Sequence, residues 1–145
     1  YLERINLIRK FDQNASVTTD IIVGYPTETE EHFEKTLEFV KTVGFSDIHV
    51  FPFSPRKGTT AEKLAPLPKE VISLRKDKLI NEKRKLHREY LINNINVPQN
   101  VVFEEKDGDY WAGYSERYIR IYSKTCSDYG TVIPKELYKD GLKGE

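Results

Sequence analysis

The sequence is poor in the residues that build disulfides and metal clusters, and it has no excess of charge of either sign. Its 145 residues include one cysteine, Cys126, and no methionine. A single thiol excludes an internal disulfide framework and any metal site made from cysteines alone. Lys and Arg together number 23, as do Asp and Glu, so no net charge draws the whole chain to nucleic acid or anionic lipid. Any such contact must therefore be local.

Long apolar runs are also missing. The sequence has no stretch of about 18 apolar residues and no charged-then-apolar leader, so we expect a cytoplasmic protein that makes no membrane contact. With 38% hydrophobic and 32% charged residues, the composition is that of a folded globular chain. Because the sequence lacks methionine and opens within a helical pattern, we expect a fragment of a longer protein.

The first two-thirds of the sequence alternate helix and strand signals. Apolar residues of 1–13 recur at three- and four-residue steps, which predicts a helix with one buried stripe. The stripe consists of Tyr1, Ile5, Ile8 and Phe11. β-branched residues in 17–23 predict a mostly buried strand of a parallel sheet. A helix over 30–43 and a second strand over 47–53 complete a strand–helix–strand unit.

The turns of this unit suggest where a ligand would lie. Thr27 and Glu30 have the spacing of a capping box for the helix, and Thr29 is a second possible cap. Because parallel strands end at the same edge of a sheet, the loops 24–28 and 52–60 should emerge together. α/β proteins hold their ligands at that edge.

Residues 69–93 contain no glycine or proline and predict one long helix. From Arg75 to Arg88 this segment has seven basic and two acidic residues. Such a run can follow an RNA backbone, or it can be only a solvated helix face, which is the more usual case.

From Val97 the sequence changes to short alternating runs, at 101–103, 110–111, 118–122 and 131–133, separated by turn residues at 107–108, 113, 128–130 and 141. This pattern predicts a small all-β domain whose strands close into a barrel. We therefore place the boundary at 94–96 and expect two domains, 1–95 and 96–145. The three histidines lack metal-ligand spacing, and Cys126 is expected to be a plain buried or turn thiol.

Aromatic residues of the β-domain can stack on bases or fill the core of the barrel. They are Tyr110, Trp111, Tyr114, Tyr118 and Tyr122. Strand alternation predicts that Tyr118, Arg120 and Tyr122 share a solvent face while Ile119 and Ile121 form core. The segment from residue 97 has seven basic and nine acidic residues, so its charge alone does not attract RNA.

Two strings in the first domain carry a family resemblance. Residues 19–33 read TDIIVGYPTETEEHF and residues 49–61 read HVFPFSPRKGTTA. They resemble the second half of the radical S-adenosylmethionine barrel in the methylthiotransferases. Residues 102–105 and 113–121 resemble the RNA-binding TRAM module that ends those enzymes. The resemblance implies an α/β fold: the C-terminal portion of a radical SAM barrel, a partial TIM-type barrel, followed by a small OB-like TRAM barrel.

Within that family, the string from His49 to Arg56 is most similar to the enzymes that methylthiolate N6-threonylcarbamoyladenosine beside the tRNA anticodon. The isopentenyladenosine enzymes are the alternative. A third branch, which modifies a ribosomal protein, usually lacks an arginine at the place of Arg56. Outside enzymes, the rival hypothesis is a stand-alone RNA-binding module. The sequence departs from the family pattern at Thr27, Ser115 and Arg117, where Gly, Thr and Asn are usual.

The resemblance also implies cofactors and partners. They are S-adenosylmethionine, two [4Fe–4S] clusters, the tRNA anticodon arm, and N-terminal domains missing from this chain. The family's CxxxCxxC loop is absent, and one thiol cannot hold a cluster. We therefore expect the fragment alone to bind no cluster and to be an inactive part of a transferase, and we assign no catalytic residue and no metal ligand.

The resemblance and the pattern together give two sets of candidate binding residues. The cofactor set is Gly24, Tyr25, Glu28, Phe51, Pro52, Ser54 and Arg56. The RNA set is Arg84, Lys85, Arg88, Tyr114, Ser115, Arg117, Tyr118 and Arg120. Glu28 can accept hydrogen bonds from ligand hydroxyls or stabilise the helix start, and Arg56 can hold a carboxylate or form a surface salt bridge.

Overall fold

The computed structural model describes residues 1–125 and 128–145, and it divides the chain into two compact units. The first, here the βαβ unit, is Val17–His87; the second, here the sheet unit, joins Tyr1–Ser16 to Arg88–Glu145. Each unit is a set of residues that contact one another, which does not test whether it is a domain. The assignment of 1–95 and 96–145 to two domains therefore stays a prediction. The prediction for Cys126 lies outside the described residues.

The secondary structure alternates in the first part and is nearly all strand in the last. In chain order the elements are α1 (Leu2–Phe11), β1 (Thr18–Val23), α2 (Glu30–Val43), β2 (Asp47–Pro52), a 3-10 turn (Thr60–Lys63), α3 (Lys69–Asn93), β3 (Gln99–Asp107), β4 (Tyr110–Ser115), β5 (Arg120–Ser123), β6 (Tyr129–Val132), β7 (Pro134–Tyr138) and β8 (Gly141–Gly144). The mixed α/β class is confirmed.

Strands β1 and β2 pair in parallel, from Thr18 opposite Asp47 to Val23 opposite Pro52. Their following loops therefore leave from one edge, as predicted. The Phe53 N–H donates to the carbonyl of Val23 at 2.8 Å, which extends the pairing into that edge. The prediction that β1 is mostly buried is wrong, because a two-stranded sheet leaves one face open. On that face Ile22 is 58% exposed and its register partner Phe51 is 49% exposed.

Helix α2 has the predicted bounds but not the first predicted cap. The Thr29 hydroxyl accepts the N–H of His32, and the His32 ring accepts the N–H of Thr29. The capping box therefore pairs Thr29 with His32, so the Thr27–Glu30 box is wrong and the second possible cap is confirmed. The helix ends at Gly44 in the left-handed conformation, as predicted, and it buries Phe33, Leu37, Val40 and Val43.

The sheet unit is a six-stranded sheet in the order β6-β3-β4-β5-β8-β7. Its core is an apolar cluster, and the members of this cluster are Leu91, Val101, Phe103, Ile119, Ile121, Val132 and Leu142. A small all-β region is thereby confirmed. In the described part of the chain, β6 and β7 end the strand order, so closure into a barrel stays a prediction.

Helix α1 belongs to this unit but has no buried stripe. Only Ile5 of the four predicted positions is buried, and Phe11 is 87% exposed. The predicted stripe is therefore wrong. Within residues 1–125 and 128–145, no helix has the length and apolar character needed to cross a membrane.

Two glycines with a positive φ allow a test of the packing around Gly24. Its φ is +80°, and an added Cβ would lie 2.6 Å from Ile72 Cγ1. Gly58 has a similar φ of +84°, but a Cβ there would meet nothing within 4 Å. Gly58→Ala should therefore cost only backbone strain, about 1–2 kcal/mol. Gly24→Ala should cost about 1–3 kcal/mol more, because it overpacks Ile72.

Equilibrium urea unfolding of the two variants measures this difference. In a chain that already carries Ile72→Ala, the substitution Gly24→Ala should cost only backbone strain, because the side chain that it would overpack is gone. Equal destabilisation by the two glycine substitutions would contradict the contact with Ile72.

Candidate functional site

The open face of β1 and β2 borders a cavity of about 630 Å³ at the carboxyl edge of the strands. Its wall is mostly apolar, from Ile22, Phe51, Phe53 and Ala61. Polar groups also line it, and they are Asp20, Ser54, Arg56 and Thr59. An apolar cleft with a few convergent polar groups is typical of a small-molecule site.

The cavity brings together four of the seven predicted cofactor residues: Phe51, Pro52, Ser54 and Arg56. The other three belong to the loop after β1 and have other partners. Tyr25 places its ring edge-on to Phe53, with centroids 5.3 Å apart. Sequence reasoning missed Asp20 as a lining residue, although its place opposite His49 in the sheet register follows from the strand pattern.

Glu28 is held inside a buried hydrogen-bond network. One carboxylate oxygen, Oε2, accepts the N–H of Gly24 at 2.8 Å and an N–H of the Arg75 guanidinium at 2.8 Å. The same Arg75 nitrogen donates to the Glu28 carbonyl at 2.9 Å. The side chains of Arg75 and Glu28 are 5% and 12% exposed. Two roles were predicted for Glu28, and this geometry supports the structural role, in which Glu28 stabilises the strand-to-helix turn.

The rest of the Arg75 guanidinium faces α2. It donates to Glu30 at 3.2 Å and lies 5.5 Å from the centre of the Phe33 ring. The hydrogen bonds from Arg75 and then Lys78 hold the pKa of Glu30 below its usual value. Part of the basic run of α3 is therefore paired with acidic residues of the βαβ unit. The buried Arg75 binds Glu28 and Glu30, while the more exposed Lys78 binds Glu30, and Lys83 binds Asp47 of β2.

The predicted RNA residues of α3 are exposed. Arg84 donates to Asn81 at 3.4 Å and Lys85 to Glu82 at 3.3 Å, both within the helix. Arg88 is also exposed. Their predicted contact with RNA stays a prediction.

The turn between β4 and β5 holds three predicted RNA residues in different settings. Ser115 is buried, and its hydroxyl accepts the N–H groups of Arg117 and Ile119 at 3.3 Å. Arg117 binds Asp12 at 3.1 Å. Tyr118 has a φ of +56° and is 80% exposed. Ser115 and Arg117 thus stabilise the turn that presents Tyr118, so we leave both out of the interface proposed below.

Tyr122 does not share the solvent face predicted for it. It is 1% exposed, meets the Tyr138 ring edge-on, and its hydroxyl donates to Asp140. Burial and then this hydrogen bond raise the pKa of the Tyr122 phenol well above its usual value. The alternation itself holds in β5, because the Arg120 guanidinium lies over the Tyr122 ring and the predicted core pair, Ile119 and Ile121, is buried. Tyr122 is buried nevertheless, because β7 and Lys139 cover its outer side, whereas Tyr118 lies in a turn before β5.

The outer face of the sheet also carries ion pairs that join different parts of the sheet unit. Arg120 binds Glu105, Lys139 binds Asp107 and Lys143 binds Glu136. Lys143 also lies over the Tyr110 and Tyr138 rings, at 5.9 and 5.0 Å from their centres. Sequence reasoning missed Lys143 and Tyr138, because it predicted no strand beyond residue 133 and took Gly141 as a turn residue.

Comparison with known proteins gives the family. No family model matches the chain. The chain is 32% identical over 148 aligned residues to the threonylcarbamoyladenosine tRNA methylthiotransferase of Bacillus subtilis, and this alignment covers 97% of the chain. It is 40% identical over 142 residues, 94% of the chain, to a tRNA-2-methylthio-N(6)-dimethylallyladenosine synthase of Oceanobacillus iheyensis. By sequence, the chain matches the C-terminal part of tRNA methylthiotransferases.

The match is to part of those enzymes. The chain covers 33% of the Bacillus subtilis enzyme and 27% of the Oceanobacillus iheyensis one. A second dimethylallyladenosine synthase, from Aliarcobacter butzleri, is 34% identical, and the alignment covers all of this chain and 35% of that protein. The resemblance to the C-terminal part of a methylthiotransferase is confirmed, while relatives with two different substrates match nearly the whole chain.

Arg75 should be needed for the stability of the βαβ unit. Arg75→Met keeps apolar bulk but leaves the buried Glu28 carboxylate without its cation, so unfolding free energy should fall by about 3–5 kcal/mol. Lys78→Met on the same helix is the matched control. Lys78→Met should lower the free energy of unfolding much less, because both Lys78 and its partner Glu30 are exposed to solvent. Urea unfolding that found equal costs would contradict the buried network.

Tyr118 and Tyr122 should behave oppositely. Tyr118→Ala removes an exposed ring and should leave the melting temperature near that of the parent chain. Tyr122→Ala should destabilise the sheet unit by about 3–5 kcal/mol, because it empties a buried site. Thermal unfolding followed by circular dichroism compares the two. A large loss for Tyr118→Ala would show that its ring is part of the core.

Proposed function

We propose that this chain is part of a radical SAM tRNA methylthiotransferase, in which the βαβ unit holds S-adenosylmethionine and the sheet unit contacts the tRNA anticodon arm. The observation that carries the proposal is the cavity at the carboxyl edge of β1 and β2. Four residues assigned to the cofactor from sequence line it, and the chain aligns over nearly its whole length with methylthiotransferases.

The donor set of the cavity fits S-adenosylmethionine. Ile22, Phe51 and Phe53 offer an apolar surface for the adenine ring, while the Asp20 carboxylate can accept hydrogen bonds from ribose hydroxyls or the amino group. The Arg56 guanidinium can hold the carboxylate of the methionine part. Bound there, the cofactor would supply the reactive adenosyl and methyl groups. In this proposal the two strands form one part of a larger barrel, whose remaining strands would cover the open face.

The residues present do not fit an iron–sulfur cluster. Such clusters need several thiolates, and this chain contains one cysteine. We therefore derive no step through a cluster. In the proposal, both clusters belong to parts of the enzyme outside this chain, and the chain supplies a cofactor wall and an RNA contact.

The proposed substrate is N6-threonylcarbamoyladenosine beside the anticodon, which rests on the string from His49 to Arg56. The dimethylallyladenosine relatives support the alternative substrate, since they are as similar as the threonylcarbamoyladenosine enzyme. Tests with the parent enzyme should use tRNA that carries one or the other modification. Mass spectrometry of the tRNA nucleosides would then detect the methylthio product, and product on neither tRNA would contradict the proposed function.

Arg56 provides a direct test of the cofactor site. Arg56→Ala in the parent enzyme should weaken S-adenosylmethionine binding about 10- to 150-fold, the range that corresponds to about 1.5–3 kcal/mol for a hydrogen bond to a charged group. Lys57→Ala is the matched control, because Lys57 is an adjacent cation that does not line the cavity. Isothermal titration calorimetry measures both. Unchanged binding by Arg56→Ala, or an equal loss for Lys57→Ala, would remove Arg56 from the site.

A further inference from the structure

We infer that the outer face of the sheet unit carries a base-stacking row made of Tyr129, Val102 and Tyr114, and that the row binds unpaired bases of an RNA strand. The inference rests on the proposed RNA contact and deepens it. It names the surface and the part of the RNA that fits. Tyr129 was read as a turn residue in the sequence, and Val102 was not considered for binding.

The strand register puts the side chains of the row next to one another on one face of the sheet. Val102 of β3 is opposite Tyr129 of β6 on one side and opposite Tyr114 of β4 on the other. Tyr114 is in turn opposite Arg120 of β5. Residues directly opposite each other point to the same side of a sheet, so these four side chains form one line across four strands. The two tyrosines are two strand spacings apart, about 10 Å.

Exposure shows that the row lies outside the core. Tyr129 is 66% exposed, Val102 is 53% exposed and Tyr114 is 45% exposed. The neighbours of Val102 along β3, Val101 and Phe103, point the other way into the apolar cluster. Three adjacent apolar side chains on the open side of a sheet are characteristic of a binding surface rather than of scattered surface residues.

Charge identifies the occupant. Arg120, Lys139 and Lys143 on this face are each paired with a carboxylate, so the face offers little uncompensated charge to the phosphates of a duplex. The row itself is neutral, and the Arg120 guanidinium lies 5.9 Å from the centre of the Tyr114 ring at its end. Neutral rings match the neutral base planes of an unpaired strand. Single-stranded RNA is recognised by such stacking on aromatic rings and on arginine.

The test uses the full 145-residue chain and two labelled RNAs, an unpaired heptamer and a hairpin that is mostly duplex. Fluorescence anisotropy measures affinity over a range of salt concentrations. Tyr129→Ala and Tyr114→Ala should each weaken heptamer binding about 5- to 150-fold, which corresponds to about 1–3 kcal/mol per stacked base. The dependence on salt should not change, because no phosphate contact is removed.

Three further variants separate stacking from folding and from general hydrophobic contact. Tyr129→Phe keeps the ring and should bind like the parent chain, whereas Tyr129→Leu keeps apolar bulk and should bind as weakly as Tyr129→Ala. Phe11→Ala removes an exposed aromatic side chain from α1, outside the sheet, and should change nothing. Each variant should melt at the temperature of the parent chain.

Several results would overturn the row. They are unchanged heptamer affinity in Tyr129→Ala, equal binding by the Leu and Phe variants, and binding of the duplex as tight as that of the heptamer. If such a result came with methylthio product in the assays of the parent enzyme, only the row would fail. A parent enzyme that made no product on either tRNA, with the Tyr variants still defective in heptamer binding, would leave the row standing and remove the proposed function.

Discussion

The βαβ unit depends on a guanidinium withdrawn from water. Arg75 lies within α3, yet its donors reach the carboxylate and the carbonyl of Glu28 and the carboxylate of Glu30. A buried ion is tolerated only when its partners are close and well oriented. Since Glu28 also accepts the N–H of Gly24, one cation on a distant part of the chain sets the turn between β1 and α2. That turn meets the lining of the cavity at Tyr25, whose ring lies edge-on to Phe53.

In the sheet unit the charged side chains lie on the outside rather than in the interior. Its interior is an apolar cluster, and its ion pairs lie on the outer face, where water screens them and each contributes little to stability. They have a different effect, which is to cancel the positive charge that would otherwise attract any polyanion. A surface compensated in this way can select an RNA only through shape and stacking. In the proposed contact, rings such as Tyr114 and Tyr129 would supply that selectivity without a net field.

The bounds of the helices could be predicted because local signals define them. Gly44 ends α2 in a left-handed conformation, and α3 begins directly after Pro68 and contains neither glycine nor proline. Four cavity residues could also be predicted from the sequence, because parallel strands must end at one edge of the sheet. They are Phe51, Pro52, Ser54 and Arg56. The direction of individual side chains was not. Seven cations in one helical run look alike in a sequence, and only the packed acids of α2 distinguish Arg75 from Arg84.

The same limit explains the misread strands. Gly141 was taken as a turn residue, but it begins β8, where a Cβ would lie 2.0 Å from the carbonyl oxygen of Arg120. Tyr122 was placed on a solvent face by counting alternate positions from Tyr118. Arg120 and Tyr122 do share a face, but Tyr138 of β7 and Lys139 cover the side of Tyr122 that alternation leaves open. Local patterns describe one strand at a time, whereas burial depends on neighbours far away in the sequence.

The cavity also limits how substrate choice can arise. Threonylcarbamoyladenosine carries a carboxylate, whereas dimethylallyladenosine carries an apolar group, so discrimination between them needs a cation or its absence at the modified base. Arg56 is the cation in the lining of this cavity. One guanidinium holds one carboxylate in the bidentate manner. If Arg56 binds the methionine carboxylate of the cofactor, a substrate carboxylate must find its partner outside this cavity, and the βαβ unit alone does not determine the modified base.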